Sequence, residues 1–369
     1  MSQQRSQHCG RETRVGVHER QGAEHMQFPF TEPPAFGATI EVKPGIHWLR
    51  MPLPLALDHI NLYLVDGGDG WYIIDTGLRG GEVQRLWEQV FAQCLGGRPV
   101  LGIVVTHMHP DHVGQAGWLS ERWQAPLYMT QGEYYTGRTF AAGPGDSVSF
   151  MIRQFYQRAG MPPQSFEQIR ARASGFSRVV EPMPGAFIRI VEGDELCLGD
   201  TRWQVVVGQG HSPEHACLLD PERGVLFSGD QIIATISSNV SVLAIEPEAN
   251  PLKLWLASHD KMLGLDALDE DTLVLPAHGL PFRGARTRLR QLIAHHEGHL
   301  QALESACREP RNPMELLPVL FKRELGAEQI NLAIGECIAH LHYLMARGQL
   351  ERLLIDDVYH FRSCDPVGA

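Results

Sequence analysis

Seven consecutive residues, Thr106-His107-Met108-His109-Pro110-Asp111-His112, constrain this chain more than any other stretch. They follow directly on the apolar run Leu101–Val105, which has the length and composition of a buried strand. Three imidazoles and a carboxylate therefore meet at a strand end. Both groups are ligands for zinc, and also for iron or manganese. In an extended or turning segment His107 and His109 can point one way, while Asp111 and His112, at a helix start, point to an adjacent position. One short loop can thus serve two metals.

Three further segments repeat that context. Gly210-His211-Ser212-Pro213-Glu214-His215 follows the strand-like Trp203–Val207, Ser228-Gly229-Asp230 follows Val225–Phe227, and Pro276-Ala277-His278-Gly279 follows Leu273–Leu275. Each places a potential ligand just beyond an apolar strand, beside Gly or Pro. His215 competes with His211 and is read as structural. His295, His296 and His299 fall on a presumed helix and are read as its solvated surface. His47, His59, His259, His340, His342 and His360 have no supporting context in the sequence.

The rest of the chain sets the frame. Short alternating or apolar runs at Ile46–Leu49, Asn61–Val65 and Trp71–Ile74 predict strands, the last two joined as a hairpin through Gly67-Gly68-Asp69-Gly70. Val83, Leu86, Trp87, Val90 and Phe91 recur at helical spacing. Leu252–Leu263 predicts another helix, and the chain turns strongly helical after Gly284, with Gly348 suited to a helix stop. Strands and helices alternate irregularly, which suits an α/β protein of two mixed sheets with helices outside. The segment 131–184 reads as a helical insertion or lid, with helix-like pieces at Val148–Ala159 and Ser165–Ala173. Its aromatics, Tyr134, Tyr135, Phe140, Phe150, Phe155 and Tyr156, either wall an apolar acyl pocket or form the insertion's own core.

The ligand segments resemble those of the metallo-β-lactamase superfamily over about residues 40–284, with the seven-ligand set shared by glyoxalase II. The resemblance implies a four-layer αββα sandwich with a site at one edge of the sheets. It implies that His107, His109 and His211 hold one divalent metal, and that Asp111, His112 and His278 hold a second. Asp230 then bridges them with a water or hydroxide, which is the expected nucleophile, and Asp111 accepts a hydrogen bond from it. Zinc is the expected metal, with iron and manganese left open. Asp75, in Ile74-Asp75-Thr76-Gly77, matches the family's first acidic residue and is expected to orient a ligand histidine from behind.

Residues 285–369 resemble the mostly helical, winged-helix-like appendage of the β-lactamase-like protein 2 group, which includes an endoribonuclease acting on single-stranded RNA. Charge points elsewhere. The chain carries a formal charge of −11, and the stretch from Gly284 onward holds ten Lys or Arg against eleven Asp or Glu. Nucleic-acid modules usually show a basic excess. The appendage is therefore expected to pack on the catalytic part, shape its pocket or make a homodimer contact. The leading expectation is a dinuclear metal hydrolase of a small thioester, ester or lactone, with the endoribonuclease as the alternative.

The expected organisation is a disordered segment at 1–28, a catalytic domain at 29–284 and the appendage at 285–369. The opening residues lack an apolar h-region, and their arginines are offset by glutamates, so they read as neither secretory signal nor transit peptide. No apolar run is long enough for a membrane span. The seven cysteines are scattered, without a C-x-x-C pair, which predicts free buried thiols in a reducing cytoplasm.

Overall fold

The computed structural model describes residues 26–54, 57–143, 149–162, 175–326 and 329–364. The first half builds a seven-stranded sheet: β1 (Thr39–Lys43), β2 (Ile46–Pro52), β3 (His59–Asp66), β4 (Trp71–Ile74), β5 (Val100–Val104), β6 (Leu127–Met129) and β7 (Ile188–Arg189). These strands lie side by side in sequence order. The first four pair antiparallel, and β4 to β7 pair parallel. A second sheet has the order β12-β11-β10-β9-β8, from β8 (Glu195–Leu198), β9 (Thr201–Gly208), β10 (His215–Asp220), β11 (Val225–Gly229) and β12 (Leu273–Pro276).

Side-chain alternation explains why the sheets stack. Trp203 and Val205 on β9, Ala216 and Leu218 on β10, and Leu273 and Leu275 on β12 meet Trp48, Tyr63, Ile74 and Val104 of the first sheet. The intervening residues Val206, Cys217, Leu219 and Val274 face the other way, onto helices α7 (Pro251–Leu263) and α8 (Ala285–Ala306). The far face of the first sheet is covered by α1 (Gly81–Cys94) and α3 (Ala116–Trp123), with the short α2 (Pro110–Val113) before α3. The five apolar residues spaced for a helix all lie buried on α1. The result is the expected αββα sandwich.

Helices α4 (Gln131–Ala141), α5 (Phe150–Arg158) and α6 (Phe176–Val179) lie between β6 and β7, as a helical insertion should. The helix-like stretch Ser165–Ala173 falls outside the described residues. After α8 come α9 (Pro313–Leu320), α10 (Ile330–Ala346) and a terminal hairpin, β13 (Leu350–Ile355) with β14 (Val358–Ser363). Gly348 stops α10 in the left-handed region, at φ +71. These helices share one apolar cluster with α7 and Phe155 of α5, so the C-terminal region is packed onto the sandwich.

Three expectations need correction. Residues 26–28, placed with the disordered segment, are built into the fold: Met26 is buried, and the Gln27 and Arg283 backbones exchange hydrogen bonds at 3.2 and 2.8 Å. His296 is fully buried rather than solvated, because α8 is covered by α10 on that face; His295 alone of its group is exposed. Of the free thiols, Cys217, Cys307 and Cys337 are buried, whereas Cys197 and Cys364 are exposed. Among the described residues no helix is long and apolar enough to cross a membrane.

Candidate metal centre

The ligand candidates sit where strands of both sheets end. His107 and His109 lie on the loop leaving β5, and Asp111 and His112 on α2, which Pro110 opens. His211 lies between β9 and β10, Asp230 directly after β11, and His278 just beyond β12. All seven come together in two groups: His107, His109, His211 and Asp230, and Asp111, His112 and His278. Within each group the ligand atoms lie within 4.8 Å of one another.

Asp230 faces both groups. Its Oδ2 lies 3.3 Å from His211 Nε2 and 3.9 Å from His107 Nε2. Its Oδ1 lies 3.4 Å from His278 Nε2 and 3.6 Å from His112 Nε2. His107 Nε2 is 2.9 Å from His109 Nδ1 and 3.2 Å from His211 Nε2. Ligand atoms at about 2.1 Å from a tetrahedral ion sit about 3.4 Å apart, so this spacing fits cations. His112 Nε2 and Asp230 Oδ1 are buried without a hydrogen-bond partner among the described residues. Buried polar atoms are normally satisfied, so such orphans aimed at one point mark a place for an ion.

The far side of each ring is held. His112 Nδ1–H donates to Asp75 Oδ2 at 2.8 Å, His278 Nδ1–H to the His59 carbonyl at 2.9 Å, and His211 Nδ1–H to the Asn239 carbonyl at 2.7 Å. Each bond fixes the tautomer that leaves Nε2 free to ligate. Asp75 also accepts from the Thr106 amide and hydroxyl, at 2.8 and 2.9 Å. It does so from a left-handed backbone, φ +60, which Asp tolerates better than most residues. Asp75→Asn keeps the shape and removes the charge behind His112. We expect a ten- to hundredfold loss of metal affinity, read by chelator competition.

Electrostatics divides the two groups. Burial, reinforced by the neighbouring rings, drives His107 well below the usual histidine range and His109 down to about 3, so both stay neutral donors. At His112 burial works in the same direction, but the carboxylates of Asp75, Asp111 and Asp230 overcome it and raise the ring well above its usual value. At His278 burial is likewise outweighed by Asp230 and Asp111. That half of the site is an anionic trap, and a metal ion entering it displaces the protons.

His215 behaves as its structural reading required. It is fully buried, burial lowers it to about 3, and its Nε2 accepts from the Asp230 amide at 3.0 Å. A Cβ at Gly229, at φ +49, would lie 2.5 Å from that nitrogen, so the turn presenting Asp230 needs glycine.

Three supports escaped the sequence. Glu133, buried at the start of α4, accepts from the Met108 amide, the Ser212 hydroxyl and the Glu214 amide at 2.6–2.9 Å, clamping the two loops that carry His107, His109 and His211. Burial raises its carboxyl despite those bonds. Asn61 donates to the Pro276 and Gly279 carbonyls and accepts from Trp48 Nε1, fixing the loop of His278 to the first sheet. His59, dismissed above, receives the Gly279 amide as well as His278. None lies near its partners in sequence, and no local pattern could have found them.

A cleft of about 340 Å³ opens at His109, lined by Met108, Phe140, Ile152, Tyr156, Phe176 and Ile245 among others. The insertion's aromatics are therefore divided. Phe140 and Tyr156 wall this cleft, Tyr134 is buried against Phe187 at a ring separation of 3.8 Å, Phe155 joins the C-terminal core, and Tyr135 and Phe150 are exposed.

Comparison with known proteins agrees with this geometry. Residues 55–278 match the family model described as the metallo-beta-lactamase superfamily, and residues 300–364 that of the metallo-beta-lactamase-like C-terminal domain. A crystal structure of a beta-lactamase domain protein from Burkholderia ambifaria is 42% identical, covers 95% of this chain and 100% of its own, and superposes with a TM-score of 0.85. The probable metallo-hydrolase YqjP of Bacillus subtilis is 24% identical over 85% of this chain and 97% of its own length. The acyl-coenzyme A thioesterase MBLAC2 of Bos taurus is 28% identical over 51% of this chain and 63% of that protein. With its ligand residues gathered at the mouth of an αββα sandwich and both matched regions in register with the fold, the chain belongs to the metallo-beta-lactamase superfamily.

Proposed function

We propose that the protein is a dinuclear metal-dependent hydrolase of a small thioester, ester or lactone bearing an apolar acyl group. The observation that carries this reading is the cleft at His109, whose described walls are mostly aromatic and aliphatic, with Asn331 the one carboxamide, and include no Lys or Arg. Such a lining favours hydrocarbon over phosphate. The similarity to an acyl-coenzyme A thioesterase points the same way.

His107, His109 and His211 would hold one metal and Asp111, His112 and His278 the other, with Asp230 shared. Zinc suits this nitrogen and oxygen donor set, and iron or manganese would be accepted by it. Divalent cations there polarise a carbonyl and lower the pKa of a water. The chain supplies the rest. Asp111 has the most open carboxylate of the site, its side chain 19% exposed against 10% for Asp230, and is placed to take the proton of an attacking water. Asp75, Asn239 and His59 keep the rings aimed, so no reorganisation is needed during reaction.

The test is one panel with metal-analysed protein: acyl-coenzyme A and acyl-glutathione thioesters, lactones and single-stranded RNA, with His109→Ala as the control for contaminants. The expected result is turnover of an acyl substrate that rises with acyl chain length and disappears in His109→Ala. RNA cleavage that disappears in the same variant would replace this reading with a nuclease.

A further inference from the structure

The position of His211 is decided outside the sandwich. The carbonyl that receives its Nδ1–H belongs to Asn239, on the irregular segment 237–242 between β11 and α7. That segment is pinned at one end to the metal site, where Ser238 Oγ donates to the Asp230 carbonyl. Everywhere else it is pinned to the C-terminal helices. Asn239 Nδ2 donates to Glu336 Oε2 on α10 at 2.8 Å. Ser241 Oγ reaches the Leu332 carbonyl at 3.0 Å, and the Val242 amide donates to the Gly335 carbonyl at 3.0 Å.

Ser237 completes the attachment. His340 Nδ1–H donates to the Glu336 carbonyl at 2.8 Å, so His340 Nε2 is an acceptor. His296 Nδ1–H then donates to it at 3.1 Å, which leaves His296 Nε2 to accept from Ser237 Oγ at 3.2 Å. One chain of bonds thus runs from α10 through α8 to the segment.

The approach is too close for any side chain at Gly335. A Cβ there would lie 2.8 Å from the Val242 carbonyl oxygen and 2.9 Å from Ser241 Cβ. Contact this tight fixes the segment's height over the helix to within a fraction of an ångström.

We propose that Glu336 and Gly335 of α10 are positioning residues for His211, acting through the Asn239 carbonyl, so that the C-terminal region completes the metal centre. The proposal rests on the reading of His211 as a metal ligand. Removing the Glu336 carboxylate leaves the Asn239 side chain held only through its Oδ1, which accepts from Ser241 Oγ at 2.6 Å, so its carbonyl can shift and the ring it holds shifts with it. Partners behind a ligating histidine typically govern ten- to hundredfold in metal affinity.

The experiment uses the full chain and zinc as the probe, with affinity measured by competition against a chromogenic chelator and the absorption spectrum of the cobalt form as a second readout. Four variants are compared. Glu336→Ala is expected to lose ten- to hundredfold in affinity and to alter the cobalt spectrum, with kcat falling more than KM rises. Glu336→Gln keeps an acceptor for Asn239 Nδ2 and is expected to recover to within about threefold of the parent. Leu344→Ala hollows the same helical core away from the segment and is expected to lower Tm without changing zinc affinity. His211→Ala is expected to lose the zinc of the group it shares with His107 and His109 and to keep metal in the other half. Parent-like affinity and spectrum in Glu336→Ala, while His211→Ala loses zinc, would overturn the proposal alone. So would an affinity loss in Leu344→Ala equal to that in Glu336→Ala. Full zinc retention in His211→Ala would overturn the ligand reading and this proposal with it.

Discussion

Asp230→Ala is expected to empty both halves of the metal centre at once and to lower hydrolysis by a thousandfold or more, about 4 kcal/mol of lost transition-state stabilisation. Its carboxylate faces both groups: its two oxygens lie 3.3 Å from His211 Nε2 and 3.4 Å from His278 Nε2. Its carboxyl is held well below the usual range. Burial opposes that ionisation, and His278 and His112 outweigh the burial. Removing it also takes one counter-charge from His112 and His278, leaving Asp111 beside both and Asp75 behind His112. Metal analysis after gel filtration checks the result, with His109→Ala beside it. His109 faces only one group, so its variant should retain metal in the other half. Equal metal content in Asp230→Ala and the parent would contradict the bridging role.

The second large effect concerns acid. His296, His340 and His259 are buried and neutral between α7, α8 and α10. Burial lowers them to about 2, 4 and 4, with neighbouring histidines adding to the effect at His296. All three folded values lie below the unfolded value of about 6.5. Above that pH both states are neutral and the groups cost nothing. As pH falls from 6.5 toward 4, the unfolded chain takes up protons that the folded chain refuses. Stability is therefore lost at about 1.4 kcal/mol per pH unit per histidine. Three such groups make the region about 4 kcal/mol less stable for each unit below about pH 6, on the same count. Urea unfolding between pH 7.5 and 5 measures the slope. His296→Gln should reduce it by about 1.4 kcal/mol per pH unit, because every other histidine contributes equally to both proteins. An unchanged slope in that variant would show that the cluster is not the source.

The His296–His340 pair that creates this acid sensitivity also anchors the segment carrying Asn239. Loss of helix packing and loss of the support behind His211 should therefore appear together as pH falls. The two are separable by Glu336→Ala, which removes the acceptor for Asn239 without replacing either histidine.

Local chemistry made much of this protein legible in advance. His107, His109, Asp111 and His112 are adjacent in sequence, and a strand end can only present them as a cluster. His211, Asp230 and His278 each follow an apolar strand, so a sandwich that gathers strand ends gathers them too. The amphipathic spacing of α1 and the left-handed stop at Gly348 are likewise properties of a few neighbouring residues. The terminal hairpin was less visible: its turn at Asp356-Asp357 uses two positive φ angles without the glycine that usually signals them.

What only the tertiary structure decided are the contacts between residues far apart along the chain. Periodicity marks His296 as one face of a helix, but whether that face meets water or α10 depends on packing that no local pattern encodes. The same holds for Glu133 under the ligand loops, Asn61 bound to the loop of His278, and Glu336 behind Asn239. A ligand can be recognised by its own chemistry and its neighbours. The group that aims it is an ordinary Glu, Asn or backbone carbonyl, which acquires a role only when the fold buries it against that one partner.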